Sequence, residues 1–350
     1  MKTDVTEMLG IEHPIFMSGM SWISVPDMVV AVAEAGGCGI LATGVLDADE
    51  TRQAIKEIRE KTDKPFAANV TLLFPGAAQN AAVLLEEQVP VINFSLGKGD
   101  WIVQGAHSYG GKVFATVTNI RHAKRAQDYG CDGVIVTGNE AAAHGEPPTT
   151  FCLVPSIAGQ LDIPVVAAGG VADGRGLAAA LALGAEGVAM GTRFMTTKES
   201  PLHENFKQLS IEKDVYDTLY SKRFDGLWCR VLDTKGARKA IKRGLNPIQL
   251  LKAIPNSRAI AQMLKLPYWK LFLGVMASLK DGTENAKQLA YMANAFKLLR
   301  VATEKGDTVE GVLTVGQSTG LIQDIPTVEE VMQRTVKEAE EVITNLTTKV

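Results

Sequence analysis

The chain is 350 residues long, 46% hydrophobic and 21% charged, with a formal net charge of −3. These proportions exclude intrinsic disorder, a collagenous repeat and a small disulfide scaffold, and the near-neutral balance argues against nucleic-acid binding. At about 150 residues per domain the length fits two domains, or one barrel of about 250 residues with an appendage.

Eight short β-branched runs follow in chain order: His13–Met17, Gly39–Ala42, Phe66–Val70, Val91–Phe94, Val113–Val117, Gly133–Thr137, Val165–Ala168 and Gly187–Met190. They start about 20–30 residues apart, the length of one βα unit, and helical patterns such as Glu50–Glu60 lie between them. Near-continuous apolar strands alternating with helices predict a parallel sheet covered by helices. Eight units predict an α/β fold closed as a (β/α)8 TIM barrel, with a doubly wound open sheet as the competitor.

The pattern changes after about residue 215. Ser221–Lys270 holds twelve Lys or Arg against two acids, Asp225 and Asp233, with proline breaks at Pro247, Pro255 and Pro267. Glu284–Arg300 has helical periodicity. The expected organisation is a barrel over 1–214, an all-helical cap over 215–310, and a return over 311–350. In that return glycines recur between Gly311 and Leu321, and Pro326 opens a terminal helix.

Glycine is abundant, 33 residues against 14 prolines, as expected where backbone approaches backbone or ligand. The four cysteines, Cys38, Cys131, Cys152 and Cys229, show neither C-x-x-C pairing nor histidines at metal spacing, so neither disulfides nor a metal site is expected. No secretory pattern opens the chain, and no apolar run reaches about 18 residues without a charge. A cytoplasmic protein, monomeric or homodimeric and free of membrane, is expected.

In such barrels ligands bind at the C-terminal strand ends, and phosphate binds after strands seven and eight. Here those ends read Ala168-Gly169-Gly170 and Met190-Gly191-Thr192. Paired glycines let backbone N–H groups face an anion, and Thr192 adds a hydroxyl. The bland alternative, glycines that merely close tight turns, fits one such loop better than two. His144 is the catalytic candidate. It lies in a long loop of small residues, Gly138–Pro148, after strand six, and imidazole suits proton abstraction at neutral pH.

The segments His13–Trp22, Ala68–Thr71, Glu140–Gly145, Ala168–Leu183, Gly184–Phe194 and Gly320–Asp324 resemble the FMN-dependent nitronate monooxygenases. The same core is similar to flavin-dependent enoyl-acyl-carrier-protein reductases and NADH:quinone reductases. The resemblance implies FMN, with Gly19, Met20 and Ser21 along the flavin ring and Asn69, Thr71 and Thr116 at the ends of strands three and five. It implies backbone contacts from Ala142 and Ala168, and a phosphate site of Gly169, Gly170, Gly191 and Thr192, with Gln317 from the returning segment. His144 becomes the implied base.

The implied activity is oxidation of alkyl nitronates with dioxygen. The alternative is a reductase that draws on NADH and acts on quinones or enoyl thioesters. A Schiff-base aldolase needs a lysine on a strand inside the barrel, whereas Lys64 and Lys112 precede strands and Lys98 follows one. A non-catalytic binding protein would have no use for a poised His144. Glu140 and Glu146 read as solvated loop acids, or as an acid/base pair beside His144. Leu264–Leu273 reads as the apolar face of the cap, or as a membrane or acyl-chain contact. The basic run reads as a solvated face, or as a surface steering an acidic partner.

Overall fold

The computed structural model describes residues 1–142, 144–244, 246–269 and 286–349. Eight parallel strands close into a barrel in sequence order. They are β1 (Ile15–Met17), β2 (Cys38–Ala42), β3 (Ala67–Thr71), β4 (Val91–Ser95), β5 (Lys112–Val117), β6 (Gly133–Thr137), β7 (Val165–Ala168) and β8 (Gly187–Met190). The ends depart from expectation by a residue or two. Thus β1 starts at Ile15, because the His13 N–H is donated outside the barrel ladder, to the Gly36 carbonyl at 2.9 Å.

Every strand sends at least one side chain into a shared interior cluster, including Phe16, Ile40, Ala67, Val91, Phe114, Ile135, Val166 and Ala189. Val5, Leu9 and Ile11, on and after the short helix Asp4–Leu9, plug the N-terminal end of the same cluster. The Phe16 and Phe114 rings meet at 5.9 Å. Burial of each large side chain contributes about 1.5–3 kcal/mol, and the filled interior confines any ligand to the C-terminal mouth.

The outer helices carry the expected caps. Ala48–Lys61 starts at a capping box of Asp47 and Glu50 and turns Ala54, Ile55 and Ile58 inward. The terminal helix runs Val328–Thr347 with Thr327 as its cap, so Pro326 lies just outside it. It packs on the helix Gly174–Ala182. A Cβ at Gly174 would stand 2.3 Å from the Ala339 nitrogen, so glycine sets that close crossing.

The inserted region is not all helical. It opens with an antiparallel hairpin, β9 (Thr218–Ser221) and β10 (Cys229–Leu232). These four-residue runs are too short to show a helical period, and Tyr220 and Val231 favour strands. Helices Lys235–Arg243, Pro247–Met263 and Ala286–Lys305 follow. Pro255 does not break the second of them; it sits inside a continuous helix. Glu284, at the start of the expected last cap helix, lies outside the described residues, as does Lys270–Leu273 of the apolar stretch. No described helix is long and apolar enough to cross a membrane.

Candidate active site

A cavity of about 1300 Å³ occupies the barrel mouth, floored by strand ends and roofed by the inserted helices. Gly19, Met20, Ser21, Asn69, Thr71, Thr116, Ala142, His144, Ala168, Gly169, Gly170, Gly191 and Thr192 all line it. Gln317 is not among the lining residues, although its neighbours Gly316 and Ser318 are. Its backbone N–H is donated to the Glu140 carbonyl at 2.8 Å, so the returning segment contributes at this point through its backbone.

The polar floor crosses three adjacent strands. Asn69 Nδ2 donates to Asn93 Oδ1 at 2.9 Å, and Asn93 Nδ2 donates to Thr116 Oγ1 at 3.0 Å. Asn93 is 4% exposed and was not anticipated. Its signal is register: Asn69 and Asn93 are direct cross-strand partners, each third in its strand. The loop after β1 curls around Ser24, whose hydroxyl donates to the Ser18 carbonyl at 2.8 Å and accepts the Met20 N–H at 2.9 Å. In the same loop Trp22 takes a positive φ of 61° and meets Phe296 of the roof edge-on at 4.8 Å.

Opposite the floor, β7 and β8 end in a bare cradle. Gly169 and Gly170 have φ of 104° and 78°, a conformation that disfavours L side chains. A Cβ at Gly169 would stand 2.9 Å from the Ala141 nitrogen. Thr192 Oγ1 accepts the Gly316 N–H at 3.0 Å, which directs its own hydroxyl hydrogen elsewhere. Beneath the cradle the buried Arg193 donates to Asp324 Oδ1 at 3.1 Å and to the Thr196 carbonyl at 2.8 Å. Burial lowers the Arg193 pKa and Asp324 opposes that shift.

Glu140 is half-buried and is not among the residues lining the cavity. Its carboxylate accepts the Thr150 N–H at 2.8 Å and the Thr150 hydroxyl at 2.9 Å, tying the β6 loop to the next helix. Glu146 does line the cavity.

His144 meets a partner from the hairpin. Its Nε2 lies 2.6 Å from Asp225 Oδ2, and Asp225 Oδ1 accepts the Leu227 N–H at 3.1 Å. Among the described residues Nδ1 has no hydrogen-bond partner, and the ring lines the cavity. The hairpin is bolted to the histidine loop at two further points. Tyr220 Oη donates to the Gly145 carbonyl at 2.7 Å, and Arg230 Nε donates to the Asn139 carbonyl at 2.9 Å. The Tyr220 and Trp228 rings stack at 4.6 Å with 5° between planes, which stiffens the support. Cys229 brings its sulfur into the same cluster, within 4.8 Å of ligand atoms on His144 and Asp225. Burial and the neighbouring Asp225 push the Cys229 thiol well up, so it stays a neutral hydrogen-bonding group.

A filled barrel with a glycine cradle at β7–β8 and a carboxylate-paired histidine at β6 has the make-up of an enzyme site. The chain belongs to the nitronate monooxygenase family, whose profile matches residues 2–82 and 75–338, and it is an oxidoreductase of that family. A Rhodococcus jostii protein named (3aS,4S,5R,7aS)-5-hydroxy-7a-methyl-1-oxo-octahydro-1H-indene-4-carboxyl-CoA dehydrogenase is 36% identical over 339 residues, covering 97% of this chain and 96% of its own. The FabK structure from Thermotoga maritima superposes with a TM-score of 0.85 at 36% identity, over 100% of both chains. A probable nitronate monooxygenase of Staphylococcus saprophyticus is 29% identical over 286 residues, covering 68% of this chain and 81% of its own.

Proposed function

We propose that the protein is an FMN-dependent oxidoreductase acting on an acyl thioester. The observation that carries this reading is the cavity. Its roughly 1300 Å³ exceeds the about 300–1000 Å³ of an ordinary small-molecule site, and its roof is apolar, including Ile260, Leu264, Leu266, Met292 and Phe296. A flavin together with a nitronate of a few heavy atoms would leave that roof idle, whereas an acyl group would cover it. Full-length similarity to a carboxyl-CoA dehydrogenase at 36% identity supports the same ranking. Nitronate oxidation is the second reading, favoured by the probable nitronate monooxygenase matched over 68% of the chain.

The residues present fit FMN. Gly169, Gly170, Gly191 and Thr192 would hold its phosphate, with the Arg193 charge beneath, and Gly19–Ser21 with the Asn69–Asn93–Thr116 floor would flank its ring. Bound FMN would supply two-electron chemistry at a substrate carbon. Asp225 accepts the Nε2 proton of His144 and fixes the ring, which leaves Nδ1 as the atom that takes or gives a proton beside the thioester. The apolar roof excludes water from that exchange. In the reducing direction Nδ1 delivers the proton to the carbon next to the thioester carbonyl; in the oxidising direction it removes it.

Steady-state assays on one preparation test the reading. An acyl- or enoyl-CoA is expected to exceed a small alkyl nitronate by about a hundredfold in kcat/KM, the discrimination that a filled binding site gives. The reverse order would restore nitronate oxidation to first place.

A further inference from the structure

Part of the basic run of the inserted region is engaged in ion pairs. Arg238 pairs with Asp233 at 2.6 Å, Lys265 with Asp47 at 2.6 Å, and Lys239 with Glu310 at 2.5 Å. Of that run Lys222 lines the cavity, joined there by Lys98 and Arg125 from the barrel loops, and among the described residues none of the three forms an ion pair. They cluster by topology. Lys98 follows β4 and Arg125 lies on the helix after β5, while Lys222 belongs to the hairpin clamped onto the β6 loop.

All three cations are exposed side chains lining the mouth. Lys98 sits between two glycines packed tightly against the barrel: a Cβ at Gly97 would stand 2.5 Å from Leu72, and one at Gly99 2.4 Å from the Phe94 ring. Arg125 shares a helix face with His122, three residues earlier, and both line the cavity. Lys222 Nζ is held 5.1 Å over the Trp228 ring. Only two carboxylates line the cavity among the described residues, Glu146 and Asp225, and Asp225 is engaged by His144. In a chain of net charge −3 this sector is therefore locally positive. It also stands apart from the glycine cradle at β7–β8.

We propose that the β4–β6 sector of the mouth is a second anion site, which receives the phosphate groups of a coenzyme-bearing ligand while its reactive end lies beside His144. The positive sector itself needs no assumption about the reaction; that its occupant is coenzyme A rests on the thioester reading above. A pyridine dinucleotide carries the same phosphate chemistry, so the test separates the two.

Calorimetric titration of the purified protein with free coenzyme A and with NADH and NADPH decides it. Wild type is compared with the triple variant K98A/R125A/K222A and with K239A, whose lysine is paired outside the cavity. At about threefold per exposed cation, the triple variant should bind at least one coenzyme roughly thirtyfold more weakly, and the difference should shrink in high salt. Loss confined to coenzyme A identifies the thioester carrier, and loss confined to the dinucleotides identifies a hydride donor; either supports the site. In the first case the KM advantage of a CoA thioester over its N-acetylcysteamine analogue, which lacks phosphate, should collapse in the triple variant. If neither thioester is turned over while coenzyme binding still falls, the site stands and the thioester reading fails. Wild type that binds no coenzyme, a triple variant within about twofold of wild type, or an equal loss in K239A would overturn the site.

Discussion

Gly170→Asp is expected to give a folded protein that purifies largely without flavin. Gly170 has a φ of 78° on the open side of the cradle, where a Cβ would meet nothing closer than Glu140 Cβ at 3.6 Å. An aspartate there adds backbone strain of about 1–3 kcal/mol and sets a carboxylate against a phosphate dianion. The ratio of flavin to protein absorbance reads the loss, and circular dichroism shows that the barrel persists. Stoichiometric FMN in the variant would place the phosphate elsewhere.

His144→Ala should lower kcat by about 10²–10⁴-fold and leave flavin content unchanged, because the imidazole is assigned to the substrate. Asp225→Asn should also cost heavily, up to about 10⁴-fold, because the counter-charge is gone and an amide NH2 turned toward the ring holds the wrong tautomer. The two substitutions together should lose little more than His144→Ala alone, because Asp225 acts through that ring. If Asp225→Asn were as active as wild type, the 2.6 Å contact would have no part in the reaction. On the nitronate reading the pattern differs: His144→Ala should spare a preformed nitronate while losing the neutral nitroalkane, which still holds its proton.

The barrel was legible because strand and helix periods repeat locally, and a run such as Val134–Val136, buried on both faces of the sheet, declares itself within a few residues. The cradle was legible for the same reason, since its glycines are contiguous with the ends of β7 and β8. Other features depend on contacts distant in sequence. Asp225 lies 81 residues from His144 and, in sequence, is one of two acids within a basic run. The hairpin that presents it falls in a stretch whose sequence predicts helix, because two four-residue strands leave no period to detect. At Gln317 the returning segment meets the site through backbone, with the Gly316 N–H donated to Thr192 and the Gln317 N–H to Glu140, contacts that residue types do not announce. Glu140 reads in sequence as a solvated loop acid or half of an acid/base pair, and only the fold brings Thr150 against it.

The most direct test of the account is an anaerobic half-reaction. Purified protein is photoreduced, mixed with an enoyl-CoA under nitrogen, and followed in the visible flavin band. The expected result is a protein that is yellow as purified, bleaches on photoreduction, and regains its colour stoichiometrically with the thioester, far more slowly in His144→Ala. A colourless protein, or reduced flavin that the thioester leaves bleached while dioxygen restores it, would contradict the account.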